Sequence, residues 1–216
     1  MSEVNTRYTF HYSQPNEYRF SLDSVFLAQK VAELLKSQSE LKNKKFLDLC
    51  SGCGVIGLEL AIYEDEVYHV DFMEVQEIYI EHFQKNAKKL FDNKKNLNLH
   101  LMNYEKAMSE PAFKSRYDFI LSNPPYFFQG EGLYSPSEFK NRCRFFMDSS
   151  FEVLIESILY MLNENGRAFV LIRDGKHHGR TLVEEVVEIV KNRASVRIID
   201  NVRGTNVVEI AKTAVV

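Results

Sequence analysis

Apolar and polar residues along this chain switch between a two-residue and a 3.6-residue period, with breaks at glycine, asparagine and proline. Lys45–Cys50 is a short apolar run ending at glycines, which predicts a buried strand. Val55–Tyr63 then follows as a helix. Val67–Met73 predicts a second strand. Gln76–Leu90 predicts a long helix, because Ile80, Phe83, Ala87 and Leu90 share one face. Leu97–Met102 and Tyr117–Ser122 predict two more strands, the latter ending abruptly at Asn123-Pro124-Pro125. Ser150–Leu162 predicts an apolar helix stopped by Asn165-Gly166. Arg167–Ile172 predicts a fifth strand and Thr181–Lys191 another helix. Ala194–Asp200 and Val207–Thr213 close the chain as two strands around Arg203-Gly204. Upstream, Ser21 is placed to N-cap a helix reaching about Leu35, with Asp23 favourable at its positive end.

Strands alternating with helices imply a mostly parallel sheet covered on both faces, and a closing strand pair can run antiparallel at its edge. The chain of 216 residues predicts a single domain, 1–216, with a helical extension over 1–44 and an α/β core over 45–216. Hydrophobic residues make up 45% of it, enough for one sizeable core. The N-terminus has no apolar run behind a basic start, and no stretch is long enough for a spanning helix, so a cytoplasmic location is expected, without membrane association.

Net charge is −3, so any contact with a polyanion must come from local clusters. Candidates are Lys42/Lys44/Lys45, Lys85/Lys88/Lys89, Lys140/Arg142/Arg144 and Lys176/Arg180. Three cysteines include the pair Cys50 and Cys53, which without a second pair reads as two reduced thiols, so no metal is expected.

The richest segments are the two loops that follow strands. Asp48-Leu-Cys-Ser-Gly52-Cys-Gly54-Val-Ile-Gly57 is a glycine-rich strand-to-helix turn that lets backbone approach a ligand. Its spacing alone fits both dinucleotides and S-adenosylmethionine. Asp48 and Glu74 favour the latter: a carboxylate suits a ligand with an ammonium and a sulfonium and repels a pyrophosphate. Glu74 is also placed to accept from ribose hydroxyls. Ser51 and Val75 belong to the same turns, and Asn103 and Tyr104 follow the third strand, where an amide could read an adenine edge and a ring cover its face.

Ser122-Asn123-Pro124-Pro125-Tyr126-Phe127 follows the fourth strand at the end where open α/β sheets place ligands. Consecutive prolines fix φ and remove two donors, leaving carbonyls as acceptors. Asn123 Oδ1 and the Pro124 carbonyl can each accept one hydrogen bond from an NH₂ group, turning its lone pair toward a methyl donor. Tyr126 offers a face for a planar target.

These two loops, together with Gln14-Pro15, Tyr18–Asp23 and Leu27-Ala28 upstream and Gly130, Gly132, Ser135-Pro136, Arg142 and Arg144 downstream, resemble class I methyltransferases carrying Asn-Pro-Pro-Tyr. More narrowly, the chain resembles the bacterial tRNA(Val) adenine-N(6) methyltransferase family, over nearly its whole length. The resemblance implies a Rossmann-like α/β fold: a seven-stranded, mostly parallel sheet with an antiparallel edge strand. It implies S-adenosylmethionine as cofactor and RNA, in particular tRNA, as partner.

By the same resemblance, Asp23, Asp48, Ser51, Gly52, Gly54, Gly57, Glu74, Val75, Asn103, Tyr104 and Asn123 border the cofactor. Asn123, Pro124, Pro125 and Tyr126 carry the transfer. Tyr126, Phe127, Lys140, Arg142 and Arg144 meet the RNA. The family usually has aspartate where Asn103 stands, and often glycine where Glu17 stands. Alternatives with similar chemistry are methylation of a release-factor glutamine amide and of a guanine amino group. A nicotinamide-dependent oxidoreductase accounts for the glycines but leaves Asn-Pro-Pro-Tyr unexplained.

Overall fold

The computed structural model describes residues 11–173, 175–177 and 180–213, and the side chains of Lys176, His177 and Arg180 lie outside the description. The basic cluster Lys176/Arg180 therefore cannot be placed. Helix α1 (Leu22–Leu35) precedes β1 (Lys45–Leu49), α2 (Val55–Tyr63), β2 (His69–Glu74), α3 (Tyr79–Phe91) and β3 (Asn96–Leu101). The short α4 (Tyr104–Ala107), β4 (Tyr117–Ser122), α5 (Glu138–Arg144), α6 (Phe151–Met161) and β5 (Leu162–Arg173) follow. A two-stranded ribbon, β6 (Lys176–His177) and β7 (Arg180–Thr181), leads to α7 (Leu182–Val190), β8 (Ala194–Val202) and β9 (Thr205–Lys212).

Seven strands form one sheet in the order β3-β2-β1-β4-β5-β9-β8. Its first four pairings are parallel and its last two antiparallel, because β9 returns between β5 and β8. The expected α/β architecture is present. Successive strand residues face opposite sides of the sheet. Phe46, Phe119, Leu121, Phe169 and Leu171 join one apolar core with α1, α2 and α3. Leu47, Leu49, Ile120, Val170 and Ile172 join the other with α6 and α7. Phe46 and Phe119 stack with centroids 5.0 Å apart. Burying side chains of this size stabilises by about 1.5–3 kcal/mol each.

Two local expectations are corrected. Ser21 occupies the N-cap of α1 but its side chain accepts no capping bond; the helix relies instead on Asp23 in its first turn. Asn165-Gly166 does not separate helix from strand. The α6 helix ends at Met161 and β5 begins at Leu162, with Asn165 at φ 65° inside it. A register shift against β4 between Tyr117 and Phe119 absorbs the extra residues.

The strand order reverses between β1 and β4, with β2 and β3 laid outward on one side and β5 on the other. Register puts Leu49 beside both Met73 and Ser122. The loops after β1, β2 and β4 therefore start at one level, at the carboxyl ends where this kind of sheet opens a crevice.

Candidate active site

That crevice holds a cavity of about 470 Å³, lined by α1, the loops after β1 to β4, and the segment around α5. Glycine and strained backbone shape one wall, termed the donor wall because the resemblance implies a methyl donor there, the wall opposite being termed the acceptor wall. Gly52 has φ 53°, and Cys50, a residue with a side chain, is held at φ 60°. A Cβ added at Gly52 would meet only the Tyr79 ring, at 3.6 Å, so the space before Gly52 is open cavity rather than packing.

Gly54 and Gly57 serve a different purpose. A Cβ at Gly54 would come within 2.8 Å of Phe83 Cδ2, and one at Gly57 within 2.6 Å of Phe72 Cε1. These two glycines seat α2 against α3 and β2, and neither lines the cavity. Asp48 is likewise absent from the lining. It is fully buried, and its Oδ2 accepts the Gly57 amide at 2.8 Å, holding the first turn of α2 to β1. Burial drives its carboxyl well above the usual range.

Glu74 does reach the cavity, and three backbone amides fix it. Gly52 N–H donates to Oε2 at 2.8 Å, while Val75 and Gln76 N–H donate to Oε1 at 2.9 Å. Burial raises its carboxyl and the three amides pull it down, leaving a net upward shift. The single donor on Oε2 leaves that oxygen a second lone pair. Ser51 also lines the cavity, and its Oγ is buried without a partner. A buried orphan hydroxyl beside an open glycine fits a polar ligand bound on this wall.

The acceptor wall is built differently. Ser122 Oγ donates to the Leu49 carbonyl at 2.8 Å, tying the end of β4 to β1. Asn123 then donates through Nδ2 to Ser24 Oγ at 2.8 Å and accepts at Oδ1 from the Tyr126 hydroxyl at 2.6 Å. In this arrangement the two hydroxyls occupy one site on each end of the carboxamide and leave Oδ1 one further lone pair. Beyond them, the Arg144 carbonyl accepts both Tyr126 N–H at 3.1 Å and Phe127 N–H at 3.0 Å. The Phe127 carbonyl accepts Phe146 N–H at 2.9 Å. The Asn-Pro-Pro-Tyr segment is thus pinned to the chain that leaves α5.

Asp23, Ser51, Gly52, Glu74, Val75, Asn103, Tyr104, Asn123, Pro124, Pro125, Tyr126, Phe127, Arg142 and Arg144 all border this cavity. Asn103 there acts as a cap: its Oδ1 accepts Glu105 N–H and its Nδ2 donates to the Asp148 carbonyl at 2.8 Å. Arg142 is held by Asp148 through Nε and a terminal nitrogen, the shortest contact being 2.7 Å. Lys140 stands outside the lining.

Sequence reasoning missed Ser24, Arg173 and Cys143. Ser24 lies inside the upstream block, one residue from Asp23, and only the packing of α1 against the loop after β4 brings it to Asn123. Cys143 meets Tyr79 Oη at 3.3 Å and Gln76 Nε2 at 3.4 Å, linking α5 to the donor wall. Nothing local signals that contact.

The sequence profile of the methyltransferase small domain family matches residues 20–137, more than half the chain and most of both walls. The chain belongs to that family. It is 27% identical over 169 residues to a tRNA1(Val) (adenine(37)-N6)-methyltransferase of Christiangramia forsetii, covering 74% of this chain and 68% of that protein. It is 28% identical over 152 residues to the Type II methyltransferase M.AccI of Acinetobacter calcoaceticus, covering 68% of this chain but only 26% of that longer protein.

Among solved structures, the putative methyltransferase yhhF of Escherichia coli aligns with TM-score 0.62 at 14% identity, over 93% of this chain and 91% of that one. A 16S rRNA N2 methyltransferase of Thermus thermophilus, solved with AdoMet and guanosine, aligns with TM-score 0.61 at 16% identity, over 91% and 44%. These structural likenesses establish the shared fold.

In this methyltransferase the cavity is chemically divided. Glu74 and the Asp148–Arg142 pair lie near the donor wall, while Arg144 and Arg173 stand at the acceptor end, where Asp23 also faces Tyr126. Three thiols lie beside them. Burial pushes Cys53 up to about 12, and Cys50 and Cys143 shift upward for the same reason. Among the described residues, no group of three or more His, Cys, Asp or Glu is placed to hold a metal ion, and no helix is long and apolar enough to cross a membrane.

Proposed function

We propose that this methyltransferase transfers a methyl group from S-adenosylmethionine to the exocyclic amino group of an adenine in structured RNA, most specifically tRNA. The observation that carries the reading is the pinned Asn123–Tyr126 segment across one cavity from the Glu74 wall. The tRNA1(Val) relative supports the choice of acceptor.

S-adenosylmethionine would supply an electrophilic methyl on a sulfonium. The residues that would hold it are Glu74, through its free lone pair toward ribose hydroxyls, Ser51 and Gly52 along the open turn, and Asp23 from α1. On the acceptor side, Asn123 Oδ1 and the Pro124 carbonyl accept the two amino hydrogens of the base. That arrangement withdraws neither hydrogen before attack; it orients the nitrogen lone pair, and positioning of this kind contributes up to about 7–11 kcal/mol. Ser24 and Tyr126 keep the Asn123 oxygen facing the amine. The Tyr126 ring borders the space for the base, and stacking there is worth about 1–3 kcal/mol. A paired adenine must leave its helix to enter, whereas a loop adenine enters at lower cost.

Incubation with radiolabelled cofactor and unmodified tRNA, followed by nucleoside analysis, tests the reading. Label in N(6)-methyladenosine is expected. Label confined to protein glutamine, to guanine or to DNA overturns the acceptor assignment.

A further inference from the structure

Two guanidinium groups converge on one ring at the acceptor end of the cavity. Arg144 closes α5 and Arg173 closes β5, and each guanidinium carbon lies 5.4 Å from the centroid of Phe127. Arg144 lies equally close to the ring of Phe145. Both arginines line the cavity. Arg116, Arg142, Arg167, Arg193 and Arg197 each hold a carboxylate. Arg144 and Arg173 hold none among the described residues, and rings take the place of an ion-pair partner.

The geometry points to Arg144 and Arg173 as a two-guanidinium grip on the backbone phosphate of the nucleotide whose base enters the Asn123–Tyr126 clamp. This rests on the acceptor being a nucleic acid, as proposed above. A guanidinium stacked on a ring spends its face and keeps its N–H edge, which matches phosphate oxygens in pairs. Two cations that share one ring and hold no carboxylate among the described residues leave their charge available to an anion entering the cavity.

The grip and the clamp also form one unit, because the Arg144 carbonyl accepts the amides of Tyr126 and Phe127. The distance from phosphate to base is therefore set by the protein. Glu74 at the other end favours a cationic ligand there, and Asp23, which also lines the cavity, stands near Tyr126. Arg142, neutralised by Asp148, and Lys140, away from the cavity, play no part in the grip.

The test compares the unaltered protein with Arg173→Ala, Arg144→Ala and Arg173→Lys. Binding of an unmodified tRNA transcript is followed by fluorescence anisotropy across salt concentrations, methyl transfer by steady-state kinetics, and S-adenosylmethionine binding by calorimetry. Each alanine variant is expected to lower the slope of log Kobs against log[salt] by about 1 and to weaken RNA binding about tenfold. KM for RNA should rise with kcat nearly unchanged, since the grip holds ground and transition states alike. Arg173→Lys should keep the salt slope and lose affinity.

Unchanged slopes in both alanine variants overturn the grip, as does a fall in kcat with KM and slope intact. Should Arg144→Ala lose cofactor binding through misfolding, the two Arg173 variants decide alone. If the unaltered protein methylates tRNA while the variants bind like it, only the grip fails. If the unaltered protein neither binds nor methylates RNA, the acceptor reading itself fails and the grip with it.

Discussion

The donor wall, from Cys50 to Gln76, is held mainly by backbone amides and by glycines whose neighbours in space are also near in sequence. Gly52 and Glu74, for example, are 22 residues apart and meet through a single amide. The acceptor wall gathers Ser24, Asn123–Phe127, Arg144 and Arg173 from four separate elements, and Asn123 meets Ser24 across 99 residues. The first wall is built from two consecutive strand-to-helix turns, after β1 and after β2, whose strands are neighbours in the sheet. The second exists only when α1, β4, α5 and β5 are already packed. On the proposed reading, binding a common donor and choosing a particular acceptor thus sit on parts of the chain with different structural requirements.

Removing the carboxamide is the largest expected break in that division. Asn123→Ala should cut methyl transfer by about a thousandfold, near 4 kcal/mol, with S-adenosylmethionine affinity changed by less than about tenfold. Kinetics and calorimetry on the same preparation check this. Loss of both together would move Asn123 to the donor side. Next, Glu74→Ala should weaken cofactor binding by about 2–3 kcal/mol and leave three amides without their acceptor. Cofactor affinity equal to that of the unaltered protein would remove Glu74 from the donor wall.

Gly57→Ala probes packing behind the wall. Its Cβ would press on Phe72, so a loss of roughly 2 kcal/mol of stability, about 4–8 °C in Tm, is expected with cofactor affinity intact. Thermal melts read it, and a large fall in affinity would show Gly57 bordering the ligand after all. Ser24→Ala gives the smallest effect. With its Nδ2 partner gone, Asn123 should turn more freely and kcat should fall about tenfold, near 1.4 kcal/mol, at constant stability. An unchanged kcat would mean that Tyr126 alone orients the carboxamide.

Legibility in the sequence followed the same division. The bounds of α2 and β4 coincide with their periodic patterns, because both are short elements flanked by glycine or proline. The mostly parallel sheet could be anticipated from alternation, since parallel strands require covered faces, whereas its strand order left no mark in the pattern. The Asn103 amide was read as facing adenine. It became a helix cap because α4, a four-residue turn, was too short to leave a pattern. The pairing of Arg142 with Asp148, six residues later, left no signal in the sequence either. Arg173 left no trace at all: a charged residue at a strand end looks like any other until the opposite loop arrives.

The three cysteines in the cleft have a chemical consequence of their own. On the proposed reading the cavity confines an alkylating reagent, and the nucleophile most easily alkylated at sulfur is a thiolate. Burial pushes the Cys53 thiol well above its ordinary range, which keeps that anion scarce at neutral pH. Cys50 and Cys143 are held neutral in the same direction. On that reading, the burial that holds these thiols neutral would also keep the enzyme from methylating itself.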